Sequence, residues 1–367
     1  MDQPFRILHV VTYMGRGGLE TMIMNYYRHI DRSKVQFDFL VHRDFRADYD
    51  DEIESMGGRI YRSPRLVPWS KSYLKTLEHF FRVHPEYKII HVHQDCLSSV
   101  ILKVAKKCGI PVRIAHSHNS NQDKNLKYIL KLFYKQFIPT YATQLFACGE
   151  EAGQWMFNGA PFRVVNNAID TEQYAYDSQR DCEIRNVLQI SQDAFVVGHV
   201  GRFNSVKNHS FLLDVFAEVN RHNENSVLLL VGDGDLRREM EQKAKSLGIA
   251  NRVIFTGIRS DVPDLMQVMD CFAFPSLYEG IPVTLIEAQA AGLPCIISDG
   301  VPMECAKTNL VQCVPLSEGV NAWTEAILKN ENTPRRDTKE EITAVGYDIR
   351  ANAQWLQNFY LEQWKET

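Results

Sequence analysis

Short runs of apolar, largely β-branched residues alternate with helix-period segments along the whole chain, and midway the alternation breaks off and begins again. Strand-sized runs at 6–12, 36–41, 89–92, 113–116, 144–148 and 163–166 have helical patterns between them, the first at 19–30. Strands that read as continuous apolar runs are buried on both faces. Helices between them supply the cover, so a parallel sheet wrapped by helices is expected. Residues 171–193 are polar, broken and rich in Asp, Gln and Arg, and read as a linker. A second series follows at 194–200, 227–231, 252–256, 271–275, 295–298 and 311–314, with helices at 208–221, 236–247, 262–269, 282–291 and 320–329. A chain of 367 residues is long enough for two cores of ordinary size. The expected fold is α/β: two Rossmann-like, doubly wound domains, 1–170 and 194–347, facing across a cleft. The final helix, 348–365, is expected to pack back on the first. Sheets of this kind bind ligands at the carboxyl ends of their strands, which is where the informative residues lie.

Composition narrows the class. A hydrophobic fraction of 45% and a charged fraction of 23% describe a globular chain, not a disordered one. No apolar run approaches the roughly 18 residues that span a membrane. The N-terminus has no basic region before its first apolar run, so a cytoplasmic location is expected. None of the eight cysteines forms a Cys-x-x-Cys pair, and they read as small core residues, not as a disulfide framework or zinc site. Net charge is −4, with a positive first half and a negative second half. This favours an anionic acceptor or surface near the first half and gives no ground for a nucleic-acid partner. Lys124, Lys127, Lys131 and Lys135 recur every three to four residues, with Leu126, Ile129, Leu130, Phe133 and Phe137 on other faces. Residues 124–137 therefore read either as a basic helix making weak contact with anionic lipid or as a core-packed helix with a solvated face.

Several strand ends carry chemistry. Glu279 and Glu287 lie eight positions apart across the start of a helix, with Pro282 suited to its first turn. Free amides there, at Val283 and Thr284, can hold phosphate while the two carboxylates meet sugar and ribose hydroxyls. Gly201-Arg202-Phe203 with Lys207 sets two cations where they can clamp a diphosphate, Arg as a fork and Lys as a point charge. Surface cations usually only solvate, so this pair draws its weight from the neighbouring carboxylates. Gly17 and Gly18 open the first helix and let backbone approach a phosphate, although Glu20 breaks a dinucleotide fingerprint. His116, and less decidedly His118, leaves a strand toward the cleft and can bond a sugar hydroxyl or assist proton transfer; the plainer reading is a packing histidine. Asp233 and Asp235 look like a metal-holding pair, but their Gly-rich turn favours Asp235 as a helix cap. No essential metal or other cofactor is expected.

Gly201-Arg202-Phe203 with Lys207, followed by Pro275-Ser-Leu-Tyr-Glu-Gly-Ile-Pro-x-x-x-x-Glu-Ala-x-Ala-x-Gly-x-Pro294, resembles the retaining GT-B glycosyltransferases of family four. Within the family it is most similar to bacterial enzymes that assemble capsular, exopolysaccharide or O-antigen repeats. The resemblance implies that Arg202 and Lys207 neutralise the leaving diphosphate, with Glu279 on the donor sugar and Glu287 on the ribose. It implies phosphate contacts from Val283, Thr284, Gly17 and Gly18, and places Gly201 and Ile281 along the donor. Ile258 and Arg259 match its nucleobase pocket, His116 its cleft histidine and Asn167 its Asn-Gly-Val-Asp asparagine. Pro282 and Ala168 replace glycines of the pattern, which bears on donor-sugar recognition. The implied reaction is retaining transfer from a nucleoside-diphosphate sugar, a UDP-hexose or UDP-N-acetylhexosamine by preference, to a saccharide or lipid-linked saccharide. The implied location is the cytoplasm, extending to the inner face of the membrane. An epimerase or phosphorylase on the same scaffold and a non-catalytic sugar-binding protein are the competing readings.

Overall fold

The computed structural model describes residues 3–118 and 128–367. The chain divides into two units, one made of Met1–Ala168 with Ile349–Thr367 and the other of Ile169–Asp348.

The first unit holds β1 (Phe5–Val11), β2 (Val35–Val41), β3 (Ile60–Arg62), β4 (Ile89–Val92), β5 (Val112–Ser117), β6 (Gln144–Ala147) and β7 (Arg163–Val164). They form one sheet in the order β3-β2-β1-β4-β5-β6-β7, with every pairing parallel. Period-two alternation sends Ile7, Phe37, Ile89 and Ile114 into one core and Leu8, Leu40, Ile90 and Ala115 into the other. The second unit repeats the plan with β8 (Phe195–Val200), β9 (Ser226–Val231), β10 (Val253–Gly257), β11 (Cys271–Phe274), β12 (Cys295–Ile297) and β13 (Val311–Cys313). Their order is β10-β9-β8-β11-β12-β13, again all parallel. In each unit the winding reverses beside the first strand, between β1 and β4 and between β8 and β11. Crevices at such switch points are where doubly wound sheets take ligands.

The expected linker is corrected. Residues 171–193 contain the helices Thr171–Tyr174 and Ser178–Leu188, and both belong to the second unit. Polar composition misled because one of its cations is internal: Arg185 is buried. It bonds the carbonyls of Ala194 (2.8 Å) and Val268 (3.1 Å) as well as Asp181 and Asp270. A fork with five donors can satisfy otherwise orphaned carbonyls inside a fold.

The C-terminal helix spans Ile349–Lys365 and is part of the first unit, where Gln357 accepts from the Asp31 amide at 2.6 Å. Of the expected basic helix, Lys124 and Lys127 lie outside the described residues. The remainder forms the helix Tyr128–Lys135. Lys135 does not belong to a lysine face, because its ammonium is buried against the Trp155 carbonyl and lies 4.4 Å from that indole's centroid. Ile129 and Phe133 are the exposed side chains there. Among the described residues no helix is long and apolar enough to cross a membrane.

Candidate active site

In the second unit the loops following β8, β9 and β11 are tied together by backbone. The Phe203 amide donates to the Asp233 carbonyl (3.0 Å), Leu236 donates to Phe203 (3.1 Å) and Leu277 donates to Val206 (2.8 Å). Gly232, at φ +134°, lies so close to the Gly201 carbonyl that any Cβ would collide with it. These contacts fix the stage on which the candidate side chains stand. Lys207 Nζ meets Glu279 Oε1 at 2.7 Å, with both side chains largely shielded, and lies 4.5 Å from the Phe274 ring centroid. The Glu279 amide donates to the Gly300 carbonyl (3.0 Å), so the carboxylate is held from its own backbone. A Cβ on Gly201 would stand 2.9 Å from the buried His199 ring and 3.3 Å from the Lys207 stem, which explains a glycine at that turn.

Arg202 is exposed on the same turn, and its side chain makes no hydrogen bond or ion pair with a described residue. The helix Val283–Ala290 begins after Pro282 with no side-chain cap and no acid in its first turn. Val283 and Thr284 therefore present amides that neither a capping side chain nor a local carboxylate has claimed. Ile281 packs part-buried against the core beneath this loop. Glu287, one turn on, is buried (7% exposed) and accepts a hydrogen bond from Tyr174. Burial pushes its carboxyl up to about 7, outweighing the Tyr174 bond.

Other expected residues are placed differently. Ile258 is exposed beyond β10, while the Arg259 guanidinium pairs with Asp261 at 2.7 Å. Asp233 is engaged by Arg237 (3.1 Å) and by the Gly234 amide (2.7 Å). Asp235 is not the helix cap: the helix starts at Arg237 after Leu236, and no side chain caps it. In the first unit, Gly17 and Gly18 begin the helix Gly18–His29, with the Glu20 carboxylate folded beside Gly17. Burial raises the Glu20 carboxyl, opposed by bonds from the Glu20 and Gly17 amides, so an acid already occupies the position expected for phosphate. Asn167 is buried and its side-chain oxygen has no partner among the described residues.

His116 corrects the expectation of a cleft-facing histidine. It is 2% exposed and one of five imidazoles gathered at the carboxyl ends of β1, β4 and β5. Parallel register sets His9 opposite His91, and strand alternation adds His93 and His118 on the same side. His91 Nε2 and His116 Nδ1 are 3.1 Å apart, His93 Nδ1 and His118 Nε2 2.8 Å, and His9 Nδ1 and His93 Nε2 3.1 Å. His91 Nδ1 reaches the Tyr360 hydroxyl of the C-terminal helix at 2.6 Å. Burial lowers all five imidazoles, His9 and His118 to about 3, so they are neutral at ordinary pH. Tyr360→Phe leaves a buried imidazole nitrogen without this bond and should lower stability by roughly 1–2 kcal/mol. Urea denaturation checks this, and an unchanged midpoint would reject the bond's contribution.

Tyr174 and the histidines His9, His91 and His93 were not foreseen from sequence. The signal for His91 and His93 was present as a His-x-His pair ending a strand, as His116 and His118 do on the next; His9 carried none. Tyr174 carried none, because its segment read as a connection.

Comparison with known proteins agrees with this architecture. Residues 16–173 match the family model described as glycosyltransferase family 4, and residues 181–335 that described as glycosyl transferases group 1. The chain is 38% identical over 368 residues to the putative glycosyltransferase EpsF of Bacillus subtilis (strain 168), covering 97% of this chain and 96% of that protein. It is 24% identical to the capsular polysaccharide biosynthesis glycosyltransferase CapH of Staphylococcus aureus, over 98% and 99% of the two chains. It is 26% identical, over 76% of each chain, to the UDP-Gal:alpha-D-GlcNAc-diphosphoundecaprenol alpha-1,3-galactosyltransferase of Escherichia coli. Among solved structures, HepE of Anabaena in complex with UDP superposes with a TM-score of 0.77 at 19% identity, over 97% of this chain and 100% of that one.

Proposed function

Since the chain belongs to the family-four glycosyltransferases and has their GT-B fold, we propose that it moves a hexose-type sugar from a nucleoside diphosphate to a bacterial surface polysaccharide. The polysaccharide is of the capsule or exopolysaccharide kind. The donor is a UDP-hexose or UDP-N-acetylhexosamine and the acceptor is a hydroxyl of a lipid-linked saccharide. The E. coli relative, named for a UDP-Gal donor and a diphosphoundecaprenol acceptor, supports both choices. One observation carries the reading: the Lys207–Glu279 pair at the switch point of the second sheet, beside a helix start with uncapped amides.

The hardest step is departure of the diphosphate, and stabilising developing charge usually contributes most to catalysis of this kind. Lys207, Arg202 and the amides of Val283 and Thr284 meet that charge, with Gly201 leaving room for the phosphate. Glu279 accepts from sugar hydroxyls and orients Lys207, Glu287 accepts from the ribose, and Ile281 packs beside the donor. Ile258 and Arg259 border the base. Attack comes from the face the leaving group vacates, so configuration is retained without a carboxylate nucleophile, and the diphosphate needs no metal. His116, buried and neutral, serves the reaction by position and not as the base.

Calorimetry with UDP, then mass spectrometry and NMR of products from UDP-sugars with a polyprenyl-diphosphate saccharide, tests the proposal. The expected result is UDP binding and acceptor-dependent formation of the same anomer in the presence of EDTA. Absence of nucleotide binding would sink it. Conversion of the donor without acceptor would point to an epimerase, and a phosphate requirement to a phosphorylase. Work at the cytoplasmic face of the membrane, through Ile129 and Phe133 with nearby lysines, completes the proposal. Flotation with anionic liposomes checks it, and no co-migration at low salt removes that contact.

A further inference from the structure

The five-histidine cluster has a feature that packing does not explain. His9 Nε2, His116 Nε2 and His118 Nδ1 are buried and have no hydrogen-bond partner among the described residues. Orphaned polar atoms are uncommon in folded proteins, and each asks for a ligand, a water or an ion. His93, His116 and His118 each offer a ring nitrogen, and the three nitrogens lie within 4.8 Å of one another. We propose that His93, His116 and His118 form a binding site for a zinc-class divalent ion at the ends of β4 and β5.

The ligand chemistry agrees. Neutral imidazole is the form that binds transition metals, and a site made only of imidazoles suits zinc. His93 Nδ1 and His118 Nε2 already face each other at 2.8 Å, and a modest opening admits an ion between them. His116 Nδ1 is directed at His91, which leaves its orphaned Nε2 as the third ligand. Two of the inner ligands then have outer partners, as metal-bound histidines usually do, while the outer Nδ1 of His118 has none among the described residues. His93 donates through Nε2 to His9 at 3.1 Å. His116 donates through Nδ1 to His91, whose own Nδ1 faces Tyr360. His118 is the part-exposed member and supplies the entry path and the open fourth position. The alternative set, His9, His91 and His93, is buried throughout, and both nitrogens of His91 are already engaged. No acid belongs to either set, so magnesium and calcium are not the ions expected. The ion takes no part in the diphosphate step, and its presence can be read without any assay of transfer.

The test uses the full chain with any affinity tag removed, dialysed against zinc and then passed through gel filtration. Elemental analysis should find about one zinc ion per chain, as for a tetrahedral site of three histidines and a water. Cobalt in its place should give the visible absorption of a four-coordinate site. His93→Ala, His116→Ala and His118→Asn should each lose the ion, whereas His79→Ala and His222→Ala, both at exposed positions, should keep it. If the buried variants fail to fold, His118→Asn at the part-exposed position decides. Nitrogen-15 NMR of the imidazoles provides an independent reading: with zinc bound, His116 carries its proton on Nδ1. Zinc absent after dialysis, zinc retained by His118→Asn, or a His116 proton on Nε2 overturns the proposal. The last would mean a metal-free chain of neutral histidines fed by the Tyr360 hydroxyl.

Discussion

Arg202→Ala and Lys207→Ala should each reduce turnover by about 10²-fold or more, the scale seen when one preorganised donor to a developing anion is removed. The two should differ in what else they change. Arg202 is exposed and its side chain bonds to no described residue, so its loss should leave the melting temperature where it was. The missing rate would then belong to chemistry. Lys207 is the partner of a shielded Glu279 at 2.7 Å, so its loss strands a carboxylate and should lower stability as well. Lys207→Ala combined with Glu279→Gln should recover the stability and not the rate. Steady-state kinetics beside thermal melts separates these outcomes. Wild-type turnover in both single variants would remove the cations from the mechanism. A melting loss in Arg202→Ala equal to that in Lys207→Ala would mean the two report folding instead.

What the sequence made legible followed from periodicity and from residues at strand ends. Continuous apolar runs such as 227–231 and 271–274 predict strands buried on both faces, and both lie inside a parallel sheet. Lys207 and Glu279 are far apart in the chain but follow strands that turn out to be neighbours, β8 and β11, so strand order makes them a pair. Where reading failed, long-range pairing was the cause. Arg185 belongs to a polar stretch whose carbonyl partners come from elsewhere in the chain, and local composition cannot reveal them. His116 had a strand-end position, but sequence did not show the burial that His91, His93 and Phe146 impose on it, nor the Tyr360 hydroxyl that holds His91. Tyr360 acts from a helix more than two hundred residues away in sequence. Asp235 had the right residue type for a cap, and the helix began one residue later than its pattern suggested.

Glu287 should make folding and donor binding respond to pH in opposite directions. Its carboxyl stands at about 7 in the folded chain against 4.5 when free, raised by burial. Between those values the folded chain keeps a proton that the unfolded chain releases, so stability falls as pH rises through this window and levels off above it. The full effect is about 3 kcal/mol, from roughly 1.4 kcal/mol per unit of displacement. Glu287→Gln keeps an acceptor for Tyr174 and carries no charge, so it should match wild type near pH 4.5 and exceed it by up to that amount at pH 8. Donor binding should move the other way. Ribose hydroxyls donate to the ionised carboxylate, so affinity for UDP should fall about tenfold per pH unit below 7 and level off above it. The Gln variant, deprived of a charge-assisted bond, should bind UDP more weakly by about 1.5–3 kcal/mol at pH 8 and show no such slope. Urea denaturation and calorimetry at pH 5, 6.5 and 8 measure both arms. Parallel stability profiles for wild type and Glu287→Gln would show that burial does not perturb this acid. A Gln variant that is more stable and yet binds UDP as tightly as wild type would take the ribose away from Glu287 and leave it a structural partner of Tyr174.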